Sequence, residues 1–237
     1  VLASCTELLV LGIAFRYENA SKYSCATEGD VRTYSSKIGT ILKYPGTWVS
    51  AIYFLAYVGT ETAISGWVVS FMLRAREATS KEASLSSSAF WAGMAVGRFA
   101  LGTVTDRFGV AGATLHYISV AVALEILFAL VRPPVVSIVI MALLGFFMGP
   151  LFPSGIVVLL RLLPKELHVA AVSFVASIGQ VGAALLPFAI GAIIDISGIG
   201  VFRFSIIAFT AFTLALWILF ARIESLASTS EPAEQSQ

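Results

Sequence analysis

The sequence predicts an all-α membrane protein, with six transmembrane helices preceded by the end of another. Two observations carry this. Only 12% of the 237 residues are charged and 58% are hydrophobic, with mean hydropathy +0.90, whereas soluble domains carry about 25% charge. Six apolar runs, at 47–73, 86–105, 112–131, 135–160, 169–194 and 202–221, also match the roughly 20 residues that cross a hydrocarbon core.

Taken in order, residues 1–16 are too short and apolar to be anything but the end of a further span. Residues 17–43 form a polar loop without helical periodicity, 44–222 hold the six spans, and 223–237 are a polar tail expected to be disordered. The chain begins with Val1 inside an apolar segment and has no charged leader. The expectation is that something upstream is missing, and that the chain is the C-terminal part of a larger protein or a truncated product. Placing the 17–43 loop in the cytoplasm puts Arg107, Arg161, Lys165 and Arg222 inside with it. Arg74, Arg76, Lys81, Arg132 and Arg203 then lie outside. This arrangement favours a cytoplasmic C-terminus, and the plasma membrane is expected rather than an internal one. In this orientation the sequon Asn19-Ala20-Ser21 stays unglycosylated.

Several functions are excluded. A net charge of +1 gives no case for nucleic acid as a partner. Cys5 and Cys25 suggest neither a disulfide framework nor a metal spacing, and His116 and His168 stand apart. No metal or cofactor is expected. The spans hold no nucleophile–base constellation, so the chain is not read as an enzyme.

The six spans group as two triplets, and the first helix of each is the most interrupted. One holds 57-YVGTETAISGW-67, with Gly59 and Gly66. The other holds 145-GFFMGPLFPSG-155, with Pro150 and Pro153. Paired interruptions at corresponding positions point to a transporter's binding site, although Pro and Gly are also common in membrane helices.

Tyr53, Tyr57, Glu61 and Ser65 recur every four residues and form one polar stripe. A carboxylate near the bilayer centre costs a few kcal/mol and is expected to face the bundle interior or a water-filled cavity. Glu61 is read as binding a substrate hydroxyl, accepting a proton, or bonding a neighbouring helix. Gln180 shares a face with Ser173 and Ser177. At 1.5 Å per residue Gln180 and Glu61 lie at compatible depths, roughly 16 and 21 Å from the cytoplasmic end, so one site is expected to hold both. Trp67 is an interface anchor or a stacking platform for a sugar ring. Gly179, Gly182 and Pro187 mark a close-packing helix. Arg98, a lone cation well inside its span, either reaches a cavity or leans toward Asp106. Glu125 is expected to snorkel outward beside Arg132.

The stretch 97-GRFALGTVTDRFG-109 resembles the loop motif of the major facilitator superfamily, G-x-x-x-D-R-x-G, in Gly102, Asp106, Arg107 and Gly109. The basic cluster that often follows is replaced by 110-VAGAT-114. The resemblance implies that the spans are helices 7–12, the C-terminal half of that fold. They would form two inverted three-helix repeats, with residues 1–16 ending helix 6. It implies that Asp106 clasps the cytoplasmic ends of two helices in one access state, with Arg98 taking part in this switch. Helices seven, ten and eleven look like fungal relatives of the fucose–galactose–gluconate proton symporter branch. The function implied is secondary active transport of a small polar, sugar-like solute by alternating access with proton coupling. A truncated, non-transporting or receptor-like relative is the alternative.

Overall fold

The computed structural model describes residues 37–230, and side chains up to Ile223. The span expected within residues 1–16, most of the 17–43 loop, the sequon and both cysteines lie outside the described residues. The helices are α1 (Pro45–Ala75), α2 (Ser80–Phe108), α3 (Val110–Leu130), α4 (Pro134–Met148), α5 (Leu151–Arg161), α6 (His168–Ser197) and α7 (Phe202–Ser230). Short 3₁₀ turns at Lys165–Leu167 and Ile199–Val201 lead into α6 and α7.

Local chemistry sets the ends. Pro45 occupies the first turn of α1, where its missing N–H is no loss. At α2, Thr79 and Glu82 form a reciprocal capping box: the Thr79 hydroxyl accepts from the Glu82 amide, and the Glu82 carboxylate accepts from the Thr79 amide. Gly109, at φ 82°, turns the chain between α2 and α3, a conformation open to glycine at no steric cost. α7 continues to Ser230, into the tail expected to be disordered, because 222-RIESLA-227 consists largely of good helix formers.

Five helical stretches are long and apolar enough to cross a membrane: Pro45–Ala75, Val110–Leu130, Pro134–Arg161, Lys165–Ser197 and Ile199–Ile223. The sixth expected span lies in α2, which has the length, at 29 residues, but not the apolarity. Its serines at 84 and 86–88 and the charges Arg98, Asp106 and Arg107 dilute it. The protein is an integral, multi-pass membrane protein of helices, and the bilayer is its solvent.

The contacts between the two triplets exchange when the triplets do. α1, first of its triplet, packs most extensively on α6, second of the other; α2 packs in the same way on α4, and α3 on α7. Equivalent helices lie three spans apart, so with short links between spans they run in opposite directions. Such contacts are compatible with the two inverted three-helix repeats that the resemblance implies. α1 is the central element: 61% of its most apolar stretch is buried, against 33% for α6 and for α7. Around it Tyr53 meets Trp217 at 5.2 Å and Phe54 meets Phe152 at 5.0 Å.

Both long seams are built on glycine. A Cβ on Gly59 would meet the Gly182 carbonyl at 2.7 Å, and one on Gly182 would strike the Leu55 carbonyl. On the α2–α4 seam Gly93, Gly97 and Gly145 stand likewise against the carbonyls of Ala142, Phe146 and Phe90. Lipid offers no hydrophobic drive between helices, so such backbone approach, with its Cα–H···O contacts, is what holds them. Gly66 and Gly102 have open space around them and are not packing glycines.

Candidate functional site

The two interrupted helices expected from the sequence behave differently. α1 runs unbroken through 57-YVGTETAISGW-67, which corrects the expectation of a matched pair. Glycine keeps its N–H, so the hydrogen-bond ladder survives. The second helix breaks between Met148 and Leu151, because Pro150 and Pro153 have no N–H to give the carbonyls of Phe146 and Gly149 four residues earlier.

The polar stripe of α1 is aimed at this break. The Tyr57 hydroxyl donates to the Met148 carbonyl and the Tyr53 hydroxyl to the Leu151 carbonyl, each at 3.1 Å. Arg98 Nε of α2 donates to the orphaned Gly149 carbonyl at 3.3 Å, and Nη2 rests on Met94 Sδ at 3.3 Å. The Phe146 carbonyl abuts Gly97, where a side chain would collide with it. Buried polar groups without partners are costly in lipid, and here neighbouring helices supply the partners.

Glu61 lies one turn beyond Tyr57 and is buried, with 7% of its surface exposed. The Tyr57 hydroxyl is within interaction range of its carboxylate, and the charge of Arg98 acts on both. The structure therefore brings together Tyr53, Tyr57, Glu61 and Arg98 around the Pro150–Pro153 break. Tyr53 and Tyr57 are fully buried, so as built they position the break.

Other expected residues fall elsewhere. α6 meets α1 through Gly179 and Gly182, which leaves Gln180 exposed; the two helices share no Glu61–Gln180 contact. The Trp67 indole donates to the Pro187 carbonyl at 2.9 Å and its ring packs on Gly191. It ties α1 to α6 where Pro187 interrupts the ladder, rather than standing free as an anchor. Thr62 Oγ1 comes within 3.4 Å of the Ala183 carbonyl that Pro187 leaves without a donor. Asp106 and Arg107 are exposed in the last turn of α2, and Asp106 makes no hydrogen bond or ion pair with a described residue. Arg98 reaches the break, not Asp106.

Glu125 overturns its expectation. It is fully buried between α3 and α7, where Thr210 Oγ1 donates to Oε1 at 2.7 Å, and Oε2 has no partner among the described residues. Its i+7 relation to Arg132 suggested snorkelling; Thr210, 85 residues away, is invisible to that reasoning.

Comparison with known proteins decides the family. The family model described as Major Facilitator Superfamily matches residues 49–237. The chain belongs to the major facilitator superfamily. It is similar to "Bypass of stop codon protein 6" of Saccharomyces cerevisiae, 30% identical over 220 residues that cover 81% of this chain and 44% of that protein. It is also similar to the "Glucose/mannose transporter GlcP" of Bacillus subtilis, 26% identical over 135 residues, 57% of this chain and 33% of that protein. The chain thus spans less than half the length of these curated relatives. Membership points to a transporter and not to an enzyme.

Proposed function

We propose that this chain is the C-terminal six-helix half, helices 7–12, of a secondary transporter that moves a small polar, sugar-like solute by alternating access, coupled to protons. The observation that carries the reading is Glu61, buried beside Tyr57 and Arg98 at a broken helix. Likeness to a glucose/mannose transporter supports the solute class. The resemblance carried by helices seven, ten and eleven supports the fungal fucose–galactose–gluconate branch. The lysine and arginine distribution supports a cytoplasmic C-terminus, and the plasma membrane is the membrane proposed. A cavity between two such halves needs a second six-helix unit, in the same polypeptide or in another copy.

Tyr57 has one hydroxyl proton and two claimants. With Glu61 protonated, Tyr57 donates to the Met148 carbonyl, as in this structure. With Glu61 ionised, the carboxylate is the stronger acceptor and draws the hydroxyl from the break. Loading and unloading of a proton at Glu61 would then change what holds the two half-helices, α4 and α5, together. Gln180 and Trp67 are assigned to the solute path, and Gly102, Asp106, Arg107 and Gly109 to the access switch.

The test is uptake of labelled glucose and mannose into proteoliposomes carrying the complete transporter, with and without Glu61→Gln. Uptake is expected to fall at least about tenfold and to lose its response to an imposed pH gradient. Unchanged uptake and pH response in the variant would remove Glu61 from the mechanism.

A further inference from the structure

At the end of the bundle away from Asp106 and Arg107, a cavity of about 560 Å³ opens between the C-terminal ends of α1 and α3 and the start of α7. Its charged lining is Arg76, Arg132, Arg203 and Glu77, so three guanidiniums face one carboxylate. Among the described residues, none of the three arginines makes an ion pair.

Arg132 is exposed, but Arg76 and Arg203 are not arginines reaching out to water to set topology. Arg76 is half-buried, its guanidinium lies 4.0 Å from the centre of the Phe128 ring and 5.1 Å from that of Phe71, and Nη2 donates to the Phe128 carbonyl. Arg203 is also half-buried; Nη1 donates to the Ala129 carbonyl at 3.2 Å, while Nε is buried with no acceptor among the described residues. Desolvation, and after it the charge of Arg203, pull the Arg76 guanidinium down to about 10, so the two cations oppose each other across the cavity. Glu77 turns the chain at the rim with φ 52°, the one non-glycine residue at positive φ among the described residues. Left-handed residues of this kind collect at functional sites.

We propose that this cavity is an anion site for a phosphate-bearing ligand, separate from the Glu61 region. Its size suits a small ligand. Planar guanidiniums with free N–H groups match phosphate oxygens in paired bonds, and an anion there would give Arg203 Nε the acceptor it lacks. The phosphate can be a free anion or the headgroup of an anionic lipid.

The test places the purified chain in phosphatidylcholine nanodiscs and titrates it with labelled inorganic phosphate. In parallel, phosphatidylglycerol retained by the chain is counted by native mass spectrometry. Saturable phosphate binding assigns the free anion; retention of phosphatidylglycerol over phosphatidylcholine assigns the lipid. In either case Arg203→Gln and the double variant Arg76→Gln/Arg203→Gln are expected to bind at least about tenfold more weakly. Lys165→Gln, which removes one charge elsewhere, should bind as the parent does. Arg203→Lys, which keeps the charge and loses the fork, should fall between, and it decides the matter if the glutamine variants do not fold. Absence of both ligands from the parent chain, or equal binding by the parent and Arg203→Lys, would overturn the site.

Discussion

The first helices of the two triplets make an instructive pair. α1 carries two glycines and a carboxylate in mid-span and stays one unbroken rod of 31 residues. Its counterpart splits into α4 and α5 at Gly149–Pro150. The difference lies in the backbone N–H: glycine softens a helix but keeps its donor, whereas two prolines three residues apart remove two donors at once. The unbroken helix then serves the broken one. Tyr53 and Tyr57 of α1, with Arg98 of α2, supply hydrogen bonds at the interruption. Equivalent positions of the two triplets thus hold unlike elements, one continuous and one broken.

The contrast can be broken most severely by moving a proline. Thr60→Pro in α1 should cost about 3 kcal/mol or more and leave little folded protein, whereas Thr60→Ala, which removes only the hydroxyl bond to the Ala56 carbonyl, should fold. Thermal unfolding in detergent by tryptophan fluorescence checks both. Next comes the seam that holds α1 straight. Gly182→Ala drives a methyl into the Leu55 carbonyl and should cost about 1–3 kcal/mol, the usual range for overpacking. Gly66→Ala, with open space around it, should be neutral or slightly stabilising in the same assay.

A smaller effect tests the link between the two helices. Tyr57→Phe leaves the Met148 carbonyl without its side-chain donor and should cost about 1 kcal/mol. It should also raise hydrogen exchange of the amides around residues 148–155 while leaving those of α1 unchanged. Equal protection in both variant and parent would mean that α1 does not restrain the break.

The smallest effect is expected at a helix end far from either. The Thr79 hydroxyl and amide hold the exposed Glu82 carboxyl below its ordinary value of 4.5. A carboxyl with a depressed folded value stabilises fully above the ordinary value and loses that contribution as the pH falls through the folded one. The first turn of α2 should therefore fray only on acidification below about pH 4.5, read as faster exchange of the Glu82 and Ala83 amides. Thr79→Ala, which removes the hydroxyl donor and keeps the backbone one, should weaken the pH dependence.

Local chemistry made much of this protein legible in its sequence. Five of the six apolar runs, the four-residue stripe from Tyr53 to Glu61 and the proline break depend on neighbours within a few turns, and the structure keeps each of them. Partner choice depends on which helix faces meet across dozens of residues, and only the tertiary structure decided it. It turned Arg98 toward the Gly149 carbonyl instead of Asp106, and buried Glu125 against Thr210 instead of beside Arg132. It left Gln180 outside the α1–α6 seam and gathered Arg76, Arg132 and Arg203, at or just beyond the ends of three helices, around one cavity. The helical repeat settles which side chains share a face; backbone contact between glycines of distant helices settles what that face meets.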